Sequence, residues 1–261
     1  MYYKNEVKAK KRLGQHFLTD LHIAKRIVDS LTSDTKTIIE VGPGTGVLTQ
    51  YLMHLPDKNL HLIEIDEESV IYLQSHYPEL SNNLHAVDFL KIDLGDITKD
   101  AFALIGNFPY NISNQILFKV LDYKDSIPEV VGMFQKEVAQ RIASKPGKKD
   151  YGILSVFLQA YYDIEYLFTV DASVFNPPPK VQSAVIRLRR NTHKSIACNE
   201  VMFRKVVKTA FNQRRKTLRN SLKALPFSED FRKDIIFDKR PEQLGVNEFV
   251  FLTNHLTESK D

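Results

Sequence analysis

The stretch Thr37–Gly46 reads TIIEVGPGTG: five residues dominated by β-branched side chains, then three glycines within five positions. The first half is a strand candidate and the second a tight turn. Glycine permits backbone angles closed to other residues and lets a ligand approach the main chain. The segment after it, around 47–55, reads as a helix whose first N–H groups face the same turn. Strand, glycine loop and helix in that order open an α/β unit. A nicotinamide-binding loop spaces its glycines G-x-G-x-x-G. Here the third glycine comes one position early and Val47 stands where it should be, which counts against a hydride-transfer enzyme.

On either side of the loop the alternation continues. A helix is predicted over roughly 21–31, with Thr19 or Asp20 as its cap. NLHLIEID (59–66) is a second strand with a helix near 68–76, NLHAVD (83–88) a third and AFALIGN (101–107) a fourth with a helix near 113–121. EVVGMFQ (129–135) is a fifth, with a helix from about Lys136. YGILSVFLQAYY (151–162) is a helix or a buried run of another type. IEYLFTV (164–170) and SAVIRLR (183–189) are strands separated by too little chain for a crossover helix, so that pair is expected to be antiparallel at least in part. The fold expected is a Rossmann-like, mostly parallel sheet with an antiparallel last strand. The polar segment 190–199 reads as a linker, and the chain beyond it is helical by spacing. Domains are therefore expected at 1–190 and 191–261.

The bounds agree with this. A chain of 261 residues with 43% apolar and 26% charged residues is globular rather than disordered. Cys198 is the only cysteine, so an intrachain disulfide or a cysteine metal cluster is excluded, and a reducing, cytoplasmic setting is expected. No apolar leader and no run of about 18 apolar residues is visible, so neither a signal peptide nor a membrane span is expected. No metal site is expected, and nothing demands more than a monomer.

Each strand end carries a polar group at the edge where open α/β sheets bind ligands. Gly42, Gly44 and Gly46 offer backbone donors. The second strand ends in Glu64 and Asp66, which alternation places on one face; an acid there suits a ribose, and Glu64 is the favoured candidate. The third ends in Asp88-Phe89, an acid beside a ring, suited to an adenine amine and its face. The fourth opens into Asn107-Phe108-Pro109-Tyr110. An aromatic amine is a poor nucleophile because its lone pair is delocalised. Acceptors for its two N–H groups would favour a tetrahedral nitrogen. The Asn107 oxygen and the carbonyl of Phe108 or Pro109 can be those acceptors, with proline holding the chain rigidly and Tyr110 stacking on the base. A helix start capped by Asn111 or Ser113 is compatible with the same segment.

Glu40–Gly46, Glu64, Asp88 and Asn107–Tyr110, in that order, resemble a class I S-adenosylmethionine-dependent methyltransferase acting on an adenine amine. KKRLGQHFLTD (10–20) and FNPPPKVQSAVIRL (175–188) resemble the ribosomal RNA adenine dimethyltransferases. AFNQRRKTLRNSL (210–222) is similar to their bacterial small-subunit branch. The resemblance covers nearly the whole chain. It implies S-adenosylmethionine as cofactor, contacted at His16, Leu18, Gly42, Glu64, Asp88 and Asn107. It further implies methylation of two adjacent adenines near the 3′ end of 16S ribosomal RNA in an immature small subunit, and a late assembly checkpoint. Phe175 matches a family aromatic that sandwiches the base opposite Tyr110, with a core phenylalanine as the alternative. The family commonly has Asn where His16 stands and Leu where Phe108 stands.

Twelve Lys and Arg residues fall between 187 and 223 with Glu200 as the one acid. Such a concentration reads as a phosphate-binding face. Arg214, Arg215, Lys216 and Arg219 are its candidates, joined by Lys10, Lys11 and Arg12 near the N-terminus. A large-subunit resistance methylase and a non-catalytic ribosome-assembly or transcription factor on the same fold are the competing readings.

Overall fold

The computed structural model describes residues 7–192 and 195–257. Lys194, counted above among the cations, lies outside them. The strands are β1 (Phe17–Leu18), β2 (Thr37–Val41), β3 (Asn59–Glu64), β4 (Leu84–Ala86), β5 (Phe102–Asn107), β6 (Glu129–Gln135), β7 (Tyr162–Val170), β8 (Phe175–Asn176) and β9 (Ser183–Arg190). The α-helices are α1 (Leu21–Val28), α2 (Thr49–Leu52), α3 (Glu67–His76), α4 (Ser113–Asp122), α5 (Lys136–Ala143), α6 (Ile153–Gln159), α7 (Glu200–Asn212), α8 (Leu218–Ser221) and α9 (Val246–Asn254).

Two compact units divide the chain, Met1–Ala139 with Glu165–Arg190, and Gln140–Ile164 with Asn191–Asp261. The first is built on a seven-stranded sheet in the order β4-β3-β2-β5-β6-β9-β7. β2, β3, β4, β5 and β6 run parallel, and β9 runs antiparallel to β6. β2 and β6 are buried along almost their whole length, as strands covered on both faces must be. From β2 the chain builds outward through β3 and β4, then returns to lay β5 on the other side of β2. That reversal is the topological switch point of an open α/β sheet, where a crevice opens beyond the carboxyl ends of the strands. The loops after β2 and β5 flank it. Asp20 caps α1 by accepting from the N–H groups of His22 and Ile23. Buried Glu129, at the start of β6, anchors the chain after α1 by accepting from Thr32 and Ser33.

The second unit takes in 140–164, placed above within 1–190, as well as the chain from Asn191. The reason is packing. The run 151–162 resolves into helix α6 followed by the start of β7. Ser155 closes the start of α6 by accepting from the Gly152 N–H (3.0 Å) and donating to the Arg141 carbonyl (2.6 Å). The Phe157 ring then packs on Phe203 of α7, at 6.2 Å between centroids. Phe203, Val207, Phe249 and Leu252 complete that core between α7 and α9. Helix α8 is a single turn; Asn220 donates to the Thr217 hydroxyl at 3.2 Å, a local bond that competes with the helix ladder. Among the described residues no helix is long and apolar enough to cross a membrane.

Candidate cofactor and acceptor site

A cleft lies at the switch point. Its walls are the glycine loop after β2, the end of β3, the segment 87–90 after β4, the loop 107–112 after β5, and the N-terminal segment 13–17.

Gly42 and Gly44 both have positive φ, at 69° and 59°. At Gly42 a side chain would fill the gap to the next loop, 3.7 Å from Pro109 Cδ. Gly46 (φ 81°) does not line the cleft; a side chain there would collide with Tyr77, whose hydroxyl donates to the Gly46 carbonyl. It shapes the turn rather than the ligand face. Beneath the loop Glu40 is fully buried and accepts from the Thr49 hydroxyl at 2.7 Å. Burial pushes its carboxyl up to about 8.

Glu64 and Asp66 share a face, as alternation required, but do different work. Glu64 lines the cleft and accepts from the N–H groups of Gly44 (3.0 Å), Ile65 (2.9 Å) and Asp66 (2.9 Å). Burial raises its carboxyl above the usual range while these three donors pull it back. Of about four acceptor positions on a carboxylate they use three, which leaves room for one further donor. Asp66 turns to the N-terminal segment, where Lys10 and Gln15 donate to it, and it accepts from Ser69 of α3 as well. Burial works to raise its carboxyl, and those three bonds together hold it below the usual value. Lys10 pairs with Glu68 as well, at 3.2 Å. It therefore closes the N-terminal segment over the cleft instead of standing free for RNA. Lys11 and Arg12 remain exposed, and the Arg12 carbonyl accepts from Asn111 at 3.2 Å.

Asp88 lines the opposite end and accepts from the Leu90 N–H at 2.9 Å; buried Phe89 lies beside it. In the acceptor loop Asn107 Nδ2 donates to the His16 carbonyl at 2.9 Å. A carbonyl can only accept, so the amide's orientation is decided and Oδ1 is the atom left over. The Pro109 carbonyl accepts from Ile112 at 3.3 Å. Of the two main-chain acceptors named above, Phe108 is thus the one with no hydrogen-bond partner among the described residues. The Phe108 ring is buried against Phe134, 5.0 Å between centroids. Tyr110 lines the cleft with its hydroxyl tied to the buried Ser183 hydroxyl, and its ring lies 5.3 Å from that of His16. His16 lines the cleft too, with Nδ1 donating to the Pro177 carbonyl at 2.7 Å.

Two expected site residues are elsewhere. Leu18 and Phe175 are register partners in the short β1–β8 ladder, and both point into the hydrophobic core. Phe17, the neighbour of Leu18 on the other face, takes the place on the cleft wall. Phe175 is 4% exposed and packs in that core.

Within the second unit Arg214 and Arg215 line a basic hollow with Arg141, Lys148, Lys149 and Arg240, against Asp150 and Glu242. Lys216 is exposed outside it. Arg219 is committed, pairing with Asp238 at 2.7 Å and donating to the Arg232 carbonyl at 2.7 Å. Arg187 and Arg190 are likewise paired, with Glu165 and Asp125.

A glycine loop, two strand-end acids and an amide-bearing acceptor loop around one crevice form a methyltransferase arrangement, and the family model for ribosomal RNA adenine dimethylase matches residues 6–245. The chain belongs to the ribosomal RNA adenine dimethylases. It is 58% identical over 254 residues to the ribosomal RNA small subunit methyltransferase A of Cytophaga hutchinsonii, covering 97% of this chain and 98% of the relative. Against the protein of that name from Flavobacterium johnsoniae it is 57% identical, over 96% and 97% of the two chains. Among solved structures, a dimethyladenosine transferase from Plasmodium falciparum matches with a TM-score of 0.75 at 26% identity, over 91% of this chain and 95% of that one. The 23S rRNA methyltransferase ErmE matches with a TM-score of 0.64 at 25% identity, over 92% and 99%. An adenine dimethylase of this fold is an enzyme, and the fold and family imply S-adenosylmethionine as its cofactor. The cleft suits that molecule: bare glycine backbone at Gly42, a carboxylate with spare acceptor capacity at Glu64, and an acid beside a ring at Asp88-Phe89.

Proposed function

We propose that this protein transfers methyl groups from S-adenosylmethionine to the exocyclic amines of two adjacent adenines near the 3′ end of 16S ribosomal RNA, leaving both dimethylated. The observation that carries the proposal is the Asn107 amide, held by the His16 carbonyl so that its oxygen is the free atom beside the cleft.

Gly42, Glu64 and Asp88 hold the cofactor, Glu64 on the ribose and Asp88 on the adenine amine. The cofactor supplies an electrophilic methyl group on a sulfonium. The chain's own work is done on the acceptor. Tyr110, braced by Ser183, offers its face to the target base once it has left the RNA stack. Asn107 Oδ1 and the Phe108 carbonyl accept from the two N–H groups, which draws the nitrogen towards a tetrahedral geometry with its lone pair available for in-line attack. Once the methyl is bonded, the nitrogen carries a positive charge and releases one of its two protons to water; the N–H that remains can still be engaged by the same acceptors. Lys11, Arg12, Arg214, Arg215 and Lys216 bind phosphates, placing the RNA without reading its sequence. A protein with this substrate works in the cytoplasm on an immature small subunit, and its release after methylation makes it a late assembly checkpoint.

Mass spectrometry of 16S and 23S ribosomal RNA from cells with and without the gene tests the assignment. Loss of two adjacent dimethyladenosines from 16S RNA alone is the expected result. Loss from 23S RNA, or no change in either, would overturn it.

A further inference from the structure

Helix α4 starts at Ser113, directly after the acceptor loop, and six residues along it Lys119 turns towards the other wall of the cleft. Its ammonium donates to the carbonyl of Phe89 at 2.5 Å and to that of Ile92. It also lies 5.1 Å from the centre of the Phe89 ring. The segment it meets is a turn folded on Asp88, whose carbonyl accepts from the N–H groups of Lys91 (3.0 Å) and Ile92 (3.1 Å). A turn wound that way gathers carbonyl oxygens on one side, and a half-buried ammonium such as that of Lys119 satisfies two of them at once. One helical turn further on, Tyr123 donates to Asp93 at 2.8 Å and accepts from the Leu94 N–H, fastening the end of the same segment.

The geometry points to Lys119 as a positioning residue for the cofactor, acting through Asp88. Resting on the activity proposed above, it ties the segment that holds the adenine of S-adenosylmethionine to the helix that grows out of the methyl-acceptor loop. Without this clip the Asp88-Phe89 segment samples other conformers, and apparent affinity falls in proportion to the population lost. If a tenth of the molecules keep the competent arrangement, affinity falls about tenfold.

Calorimetric titration of the full-length protein with S-adenosylmethionine and with 5′-methylthioadenosine, which carries the adenosine half alone, tests this. Lys119→Met should weaken both ligands by about the same factor, roughly tenfold. Methyl transfer should show the loss in KM for the cofactor, with kcat at saturation changed less than about threefold. Lys119→Arg, which keeps the charge and the donors, should recover most of the affinity. In an Asp88→Ala background the Lys119→Met loss should shrink, because the two act as one unit. Wild-type affinity in Lys119→Met, or a full tenfold loss persisting in the Asp88→Ala background, would overturn the inference. Should Lys119→Met fail to fold, Lys119→Arg and Lys119→Gln carry the comparison: equal affinity in those two would also overturn it. Failure of the wild-type protein to bind S-adenosylmethionine is a different result, and would count against the activity itself.

Discussion

Gly106 of β5 and Gly132 of β6 face each other in register, and the ring of Phe108 lies against both. A Cβ on Gly132 would stand 2.2 Å from Phe108 Cε2, and one on Gly106 2.9 Å from Phe108 Cε1. The two bare positions make the slot that seats the phenylalanine ring. The seat matters because the Phe108 carbonyl is one of the two proposed acceptors.

Gly132→Ala should therefore cost about 1–3 kcal/mol in urea unfolding, as overpacked cores do. It should also slow methyl transfer, since a small displacement of an acceptor is felt strongly in rate. Adding Phe108→Leu should relieve part of both effects, because it removes the nearest clash while Phe134 Cε2, 2.7 Å from the same Cβ position, stays in place. Additive losses in the double variant would show that the ring and the glycine are not coupled.

Glu40 should make stability depend on pH in a direction opposite to that of a salt-bridged acid. Burial lifts its carboxyl from 4.5 to about 8 in the folded chain. Below 4.5 the group is protonated in both states and costs nothing. Between 4.5 and 8 the unfolded chain releases a proton that the folded chain keeps, so stability falls as pH rises through that window. Glu40→Gln removes the term. The stability of the variant relative to wild type should rise by a few kcal/mol from pH 4.5 to 8 and then level off. Urea unfolding of both proteins across that range checks it; a difference flat in pH would contradict the burial argument.

The cations of the second unit should separate by experiment. Arg215 lines the basic hollow, whereas Arg219 is held by Asp238 and the Arg232 carbonyl. Arg215→Ala should lower the slope of log K against log salt for RNA binding by about one and leave the melting temperature alone. Arg219→Ala should leave the slope unchanged and lower stability by up to about 1 kcal/mol.

Much of the sheet was legible in the sequence because its central strands are continuous apolar runs, and the glycine loop announced the turn that follows the first of them. The strand-end acids were legible as a set. What separates Glu64 from Asp66 was not: both lie on one face, and the difference comes from Lys10 and Gln15, which approach Asp66 from more than fifty positions away. That Leu18 and Phe175 face the core was not legible, because two-residue strands carry no period from which to read an inward face. The run 151–162 is mostly apolar, so helix and strand leave much the same trace there; Gly152 and Ser155 decide it. Its membership of the second unit depends on Phe157 meeting Phe203, which no local pattern encodes. Charge counting marked a basic stretch but could not distinguish Arg215 from the paired Arg187, Arg190 and Arg219.

The amide of Asn107 is the centre of the account, and its removal is the most direct test. Single-turnover transfer of labelled methyl to immature small subunits, at saturating S-adenosylmethionine, should slow by at least about a hundredfold in Asn107→Ala, the scale on which loss of one oriented polar group acts in a transition state. A rate within twofold of wild type would contradict it.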